Sequence, residues 1–280
     1  KVILPKETWH YFWQVAEHYR VEREPYSIFT SHNEWCYNAE EIMKITKKGE
    51  KKDPQVIVIV SPNNPTGNQI KDNDLIEILG SVPDSTLVLL DETYIEFTGN
   101  IKGHAPLTKD YDNLLVLRSF SKYYALAGWR IGYVICGKTA MKKIRFLDFS
   151  PQAFPEETYL RLSIPKQMVA AAALTDSSQR YYKNVSDEIN RSRQELLNKL
   201  DLLGWKVHDS HANFVFTRFT ENQSKLKECM DRNYIKIKFH TPQDSYLSPD
   251  TARIFSQHVR ISIGTRIQME KLHRALDEFK

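Results

Sequence analysis

Three stretches of this chain end an apolar run on side chains that can do chemistry. Val56-Ile57-Val58-Ile59-Val60 runs into Ser61-Pro62-Asn63-Asn64-Pro65-Thr66-Gly67. Thr86-Leu87-Val88-Leu89-Leu90 runs into Asp91-Glu92-Thr93-Tyr94, and Leu114-Leu115-Val116-Leu117 into Arg118-Ser119-Phe120-Ser121-Lys122, with Arg130 eight residues further on. The three segments thus deliver an amide, a carboxylate, a phenol, hydroxyls, an amine and a guanidinium. An amine can bond covalently to a carbonyl carbon. A carboxylate can hold a heterocyclic nitrogen protonated, and hydroxyls with a guanidinium make charge-assisted bonds to a phosphate. Each group alone has an ordinary explanation. Asn-Asn-Pro-Thr-Gly is good turn chemistry, an Asp at a strand end can cap a helix, and a lysine is most often solvated. It is the conjunction that points to a site.

The elements that must position these groups are legible from pattern. The three runs, together with Ile131-Gly132-Tyr133-Val134-Ile135, are apolar on both faces, the mark of strands covered by helices on two sides. Val2-Ile3-Leu4 is a further strand-like run. Residues 71–80 put Leu75, Ile76, Ile78 and Leu79 at helical spacing before a glycine stop. This alternation predicts an α/β fold, a mostly parallel sheet flanked by helices. In such open sheets ligands bind beyond the carboxyl ends of the strands, where the three polar clusters fall. After about residue 145 the pattern changes. Residues 149–165 carry three prolines and read as a loop or irregular insertion. A long charged amphipathic helix is predicted over 177–203, then a strand over 213–216, a helix over 225–233, strands over 235–239 and 259–263, and a helix over 269–279. The expectation is a large domain over residues 1–170 and a smaller α+β C-terminal domain over 171–280.

Composition narrows the function classes. With 41% hydrophobic and 26% charged residues, the 280-residue chain is neither a disordered segment, a collagen nor a coiled-coil rod. A net charge of +4 with interspersed signs is no nucleic-acid footprint. No run of about 18 apolar residues exists, so no membrane span is expected. The three cysteines are too scattered for a disulfide framework or a zinc ribbon, and predict incidental thiols in a reducing, cytoplasmic compartment. Lys1 is followed at once by a strand-like run, with no basic and apolar leader, so the chain reads as the later part of a longer protein.

One cofactor uses the whole reactive set. Pyridoxal phosphate takes a lysine at its carbonyl, an acid at its pyridine nitrogen to keep the ring an electron sink, and donors at its phenolic oxygen and phosphate. The segments SPNNPTG, LLDETYIEF, LRSFSKYYALAGWRIGY and VRISIGT resemble those of fold type I aminotransferases of classes I and II, and are most similar to those of histidinol-phosphate aminotransferases. The resemblance runs over nearly the whole chain. It implies that Lys122 bonds the cofactor and shuttles a proton, that Asp91 pairs with the pyridine nitrogen, and that Tyr94 and Asn64 bond the phenolic oxygen. It further implies that Ser119, Ser121 and Arg130 hold the phosphate and that Trp9 stacks on the ring. Arg260 matches the arginine that grips a substrate carboxylate through its bidentate fork, and Asn213 falls at an active-site asparagine. The implied partners are an amino donor and a 2-oxo acid, with a homodimer and no nucleic acid or membrane.

Two departures matter. Members of that family carry an earlier stretch with a glycine-containing loop at a helix N-terminus, whose N–H groups bind the cofactor phosphate. Lys238 stands where the histidinol-phosphate enzymes carry a substrate-phosphate arginine. It is either a substrate-binding residue or a solvated one, since Lys236 and Lys238 share a face of an alternating strand. Two other outcomes stay open at the level of sequence. One is a threonine-phosphate-like decarboxylase or amino-acid cyclising enzyme using the same cofactor. The other is a non-enzymatic aminotransferase-like effector domain of a transcription regulator.

Overall fold

The computed structural model describes residues 1–30, 32–47, 55–83, 85–138, 140–142, 162–219, 222–242, 244 and 247–279. The apolar runs become strands: β1 (Val2–Pro5), β2 (Arg23–Tyr26), β3 (Gln55–Val60), β4 (Thr86–Asp91), β5 (Leu114–Ser119) and β6 (Gly132–Cys136). They form one sheet in the order β2-β1-β3-β4-β5-β6, parallel throughout except for β6, which runs antiparallel to β5. Helices α1 (Tyr11–His18), α2 (Ala39–Lys47) and α3 (Asp72–Ser81) alternate with the strands. Ile57, Ile59, Val88, Leu90, Leu114 and Val116 bury one face of the sheet with Ile42, Leu75 and Ile78 of α2 and α3. Val58, Val60 and Leu4 bury the other against Ala16, Phe12 and Trp13 of α1. Cover on both faces is why these strands read as uninterrupted apolar runs.

The C-terminal part comprises α4 (Ile164–Ala173), α5 (Asp176–Leu202), β7 (Phe214–Arg218), α6 (Gln223–Arg232), β8 (Lys238–Phe239), α7 (Pro249–Phe255), β9 (His258–Ser262) and α8 (Arg266–Phe279). The three strands make an antiparallel sheet, β7-β9-β8. One of its faces, with Val215, Val259 and Ile261, closes a core with Leu196, Leu197 and Leu200 of α5 and Leu272 and Leu276 of α8. The Thr175 hydroxyl accepts from Ser178 N to start α5, and Gly204, at φ 80°, follows its end. Early in α5, Tyr182 packs on Tyr123 and Tyr124; in its middle Asn190 donates to the Phe97 carbonyl at 3.0 Å. The helix thus begins against the large sheet's loops and ends in the small core.

The mostly parallel sheet and the smaller α+β unit are as the pattern predicts, with local differences. β2 carries Arg23, Glu24 and Pro25 and has no apolar run to announce it; it is an edge strand, where proline and charge are tolerated. The strand expected over 235–239 shortens to Lys238–Phe239, also at an edge. Pro165 sits in the first turn of α4, where its missing N–H costs nothing, so a residue that reads as a breaker opens a helix. The rest of the irregular stretch predicted over 149–165 lies outside the described residues up to 161. Cys36, Cys136 and Cys229 are free thiols, and among the described residues no helix is long and apolar enough to cross a membrane.

Candidate active site

The carboxyl ends of β1, β3, β4 and β5 surround a cleft of about 550 Å³. Trp9, Asn64, Asp91, Tyr94, Ser119, Ser121, Lys122 and Arg130 all line it. A parallel sheet makes this possible, because every strand delivers its following loop to the same edge.

Each loop is pinned locally. The buried Asn63 amide donates to the Glu7 carbonyl at 2.7 Å and to Thr66 Oγ1 at 2.6 Å, while Thr8 Oγ1 donates to Asn63 Oδ1 at 2.7 Å. Asn63 therefore ties the loop after β1, which carries Trp9, to the loop after β3, which carries Asn64. Glu7 fixes the same loop by accepting from Ile28 N at 2.9 Å and Ser27 Oγ at 3.0 Å. Gly67 closes the β3 loop at φ 79°; its carbonyl accepts from His211 N at 2.9 Å, and a Cβ there would overlap Ser210 Oγ. Asp91 ends β4, and Thr93 donates to its Oδ1 through both N (2.9 Å) and Oγ1 (2.6 Å), leaving Oδ2 with neither of those bonds. Ser119 Oγ accepts from Ser121 N at 3.0 Å, and Arg130 holds a left-handed backbone at φ 53°. Trp9 is 43% exposed and stacks on Tyr11 at 5.0 Å, so it is a cleft wall and not a core tryptophan.

The small sheet contributes from the other side. The Arg260 guanidinium lies 3.9 Å from the centre of the Phe214 ring and close enough to Tyr94 to pull its phenol down. Lys238 stands directly opposite Arg260 in the β8–β9 register, which puts both side chains on one face, but Lys238 is exposed and outside the cleft wall. Asn213 is half-buried; its carbonyl accepts from Ile263 N at 2.9 Å, and its side chain does not line the cleft.

Electrostatics separates the groups. Burial pushes the Asp91 carboxyl up, against the two Thr93 bonds and Lys122 that pull it down. Lys122 is pushed down by burial and then by Arg260 and Arg130, only partly offset by Asp91. Its Nζ lies 5.8 Å from the centre of the Tyr94 ring. Tyr94 is raised by burial, with Arg260 opposing.

Beneath the cleft lies a buried ionic network that the sequence reading did not single out. Arg118, whose side chain is 3% exposed, meets Glu92 at 2.8 Å and Glu96 at 3.1 Å. His104 Nδ1 contacts Glu92 Oε1 at 2.6 Å and its Nε2 contacts Asp72 at 3.1 Å. Arg118 also donates to the carbonyls of Ile101 and Lys102. The available signal was an arginine inside an otherwise apolar strand, since a buried arginine needs carboxylate partners.

Residues 1–279 of the 280 match the family model of class I and II aminotransferases, and the chain belongs to that family. Among its relatives, histidinol-phosphate aminotransferase 2 of Archaeoglobus fulgidus is 34% identical over 80% of this chain and 58% of its own length. The chain spans about half to three fifths of the curated relatives it matches. The histidinol-phosphate aminotransferase from Clostridium acetobutylicum superimposes with a TM-score of 0.79 at 22% identity, covering 99% of this chain and 77% of that one. The enzyme of the same name from Sinorhizobium meliloti, solved in complex with pyridoxal-5'-phosphate, gives 0.74 at 23% identity, covering 99% and 70%. These two likenesses establish the fold.

Proposed function

We propose that this chain holds pyridoxal phosphate and serves an aminotransferase that moves an amino group between a histidinol-phosphate-like donor and a 2-oxo acid. The observation that carries the reading is the charge inventory around the cleft. Arg260 and Arg130 both push Lys122 down, while among the described residues that line the cleft Asp91 is the one carboxylate. Such a set lacks negative charge, which a dianionic phosphate beside Arg130 and a substrate anion at Arg260 would supply. It also holds a buried carboxylate that a protonated pyridine nitrogen would satisfy. The residues therefore fit the cofactor.

Asp91, with Oδ1 occupied by Thr93, would hold the ring nitrogen through its remaining oxygen. Tyr94 and Asn64 would bond the phenolic oxygen, Ser119, Ser121 and Arg130 the phosphate, and Trp9 one face of the ring. When bound, the cofactor supplies an electron sink for the electron pair released at the substrate Cα. Lys122 holds the cofactor covalently and carries the proton to and from the substrate, a task suited to an amine whose pKa is lowered. Arg260 takes the substrate anion. Lys238, on the same face of the small sheet, reaches for a side-chain phosphate or carboxylate, and Asn213 supports the same rim. The reading divides the chain into a cofactor domain over residues 1–170 and a small domain over 171–280, and carries a homodimer and a cytoplasmic location with it.

The test is amino transfer from histidinol phosphate to 2-oxoglutarate by the cofactor-loaded protein. Glutamate formation is expected; no glutamate from histidinol phosphate, together with carbon dioxide release from a carboxylate-bearing donor such as threonine phosphate, would make it a decarboxylase instead. Lys238→Ala should lower kcat/KM about 10- to 150-fold for a phosphorylated or acidic donor, the value of a charge-assisted contact of about 1.5–3 kcal/mol, and leave a neutral aromatic donor unchanged. Equal changes for all donors would return Lys238 to an ordinary solvated lysine.

A further inference from the structure

A second cavity, of about 200 Å³, lies on the seam between the small sheet and the loop after β2. It is independent of the cleft, at the opposite end of β7 from Phe214, the ring that Arg260 covers. Its wall is basic. Lys206 and Arg218 exchange both backbone hydrogen bonds, at 3.0 and 3.1 Å, and so stand directly opposite one another. Arg218 is in turn opposite His258 in the β7–β9 register. Residues paired in this way project to the same face, so Lys206, Arg218 and His258 form one cross-strand row. His208 and Arg253 complete the lining, and Phe29 brings in the loop after β2.

Like charges placed directly opposite each other repel, and a fold that keeps them so is relieved by a counter-ion. Among the described residues no carboxylate pairs with Lys206 or Arg218, and Arg253 has only an exposed contact with Asp250 at 3.6 Å. Glu34 and Asp209 lie close enough to act on His208 but line no part of the cavity. The His208 Nε2 atom is buried without a hydrogen-bond partner. Burial first, and then Lys206 at His208 and Arg218 at His258, push both rings down to about 4. Lys206 Nζ also donates to the His32 carbonyl at 3.3 Å, so the basic row already touches the loop that an anion would tie to the small sheet.

We propose that this cavity is a binding site for a small tetrahedral oxyanion of the phosphate or sulfate class, clamped between Lys206, Arg218 and Arg253 and fastening Phe29 and Asn33, which also line it, to the small sheet. The probe is sulfate, titrated calorimetrically into the cofactor-loaded protein at constant ionic strength with chloride as the balancing ion. Saturable binding is expected, with inorganic phosphate competing for the same site. The double variant Lys206→Gln/Arg218→Gln should weaken that binding at least about tenfold, while its melting temperature in chloride stays near that of the wild type. Binding that is non-saturable, that phosphate does not compete for, or that the double variant leaves intact would overturn the proposal. The last result would place the sulfate at Arg260 and Lys238 instead.

Discussion

Lys122 and Asp91 show what a single side chain carries here. Borohydride treatment of the cofactor-loaded protein should fix the cofactor on the peptide that contains Lys122, and Lys122→Ala should lose both the visible absorption band and nearly all turnover. A label on another lysine would refute the assignment. Asp91→Asn keeps the size of the side chain but cannot hold a pyridine nitrogen protonated. Cofactor should still bind, and kcat should fall at least about 100-fold, or about 2.7 kcal/mol. Near-normal turnover would remove the electron-sink argument. These residues were legible in the sequence because polar groups at the ends of apolar runs must gather at one edge of a parallel sheet. Arg260 was legible only by resemblance. Its approach to Tyr94 depends on how the small sheet docks, which no local pattern encodes. Asn63 was passed over for its neighbour Asn64, although it is Asn63 that is fully buried and joins two loops.

At the scale of elements, the Arg118 network fastens the ends of β4 and β5, the strands that present Asp91 and Lys122. Arg118→Met leaves two buried carboxylates facing each other and should cost about 3–5 kcal/mol of stability, read from urea unfolding. Glu96 gives the network a pH signature. Burial pushes its carboxyl up to about 7 from 4.5, although Arg118 pulls the other way. The folded state therefore holds a proton that the unfolded chain has released between those values, and stability falls as pH rises from about 4.5 to about 7. His104 acts in the same direction. Burial disfavours its charge, but the bonds to Glu92 and Asp72 outweigh this and raise its pKa, so its contribution is full below 6.5 and is lost as pH rises through the folded value. Glu96→Gln should flatten the melting-temperature profile over the lower window; an unchanged slope would show that Glu96 ionises normally. Elements with a strong period, such as α5 and the β3–β5 strands, were legible to within a few residues. β2 and β8 were not legible as they stand, because edge strands have no need of an apolar face.

At the scale of the molecule, α5 is the common member of two cores. Its 27 residues span about 40 Å. Tyr182 lies on the aromatic cluster beside Lys122, and Leu196, Leu197 and Leu200 lie in the small core. The proposed division at residue 170 leaves this helix whole, yet the helix belongs to both sides. Native-state hydrogen exchange should then show α5 amides near Tyr182 and near Leu200 reaching the same opening free energy; two distinct limits would mean that the units open separately. Gly67 joins the same two units with no side chain at all, and this has an evolutionary consequence. Every single-codon departure from glycine adds a Cβ, which meets Ser210 and must adopt the left-handed backbone. Clearing space by Ser210→Gly would forfeit the Ser210 hydroxyl's bond to the Phe214 carbonyl and still leave the backbone strain. A saturation library at position 67, selected for activity, should return glycine alone, and adding Ser210→Gly should not widen the set. The turn that offers Asn64 to the cleft sits at a dead end in mutational space, reachable by descent but not easily left.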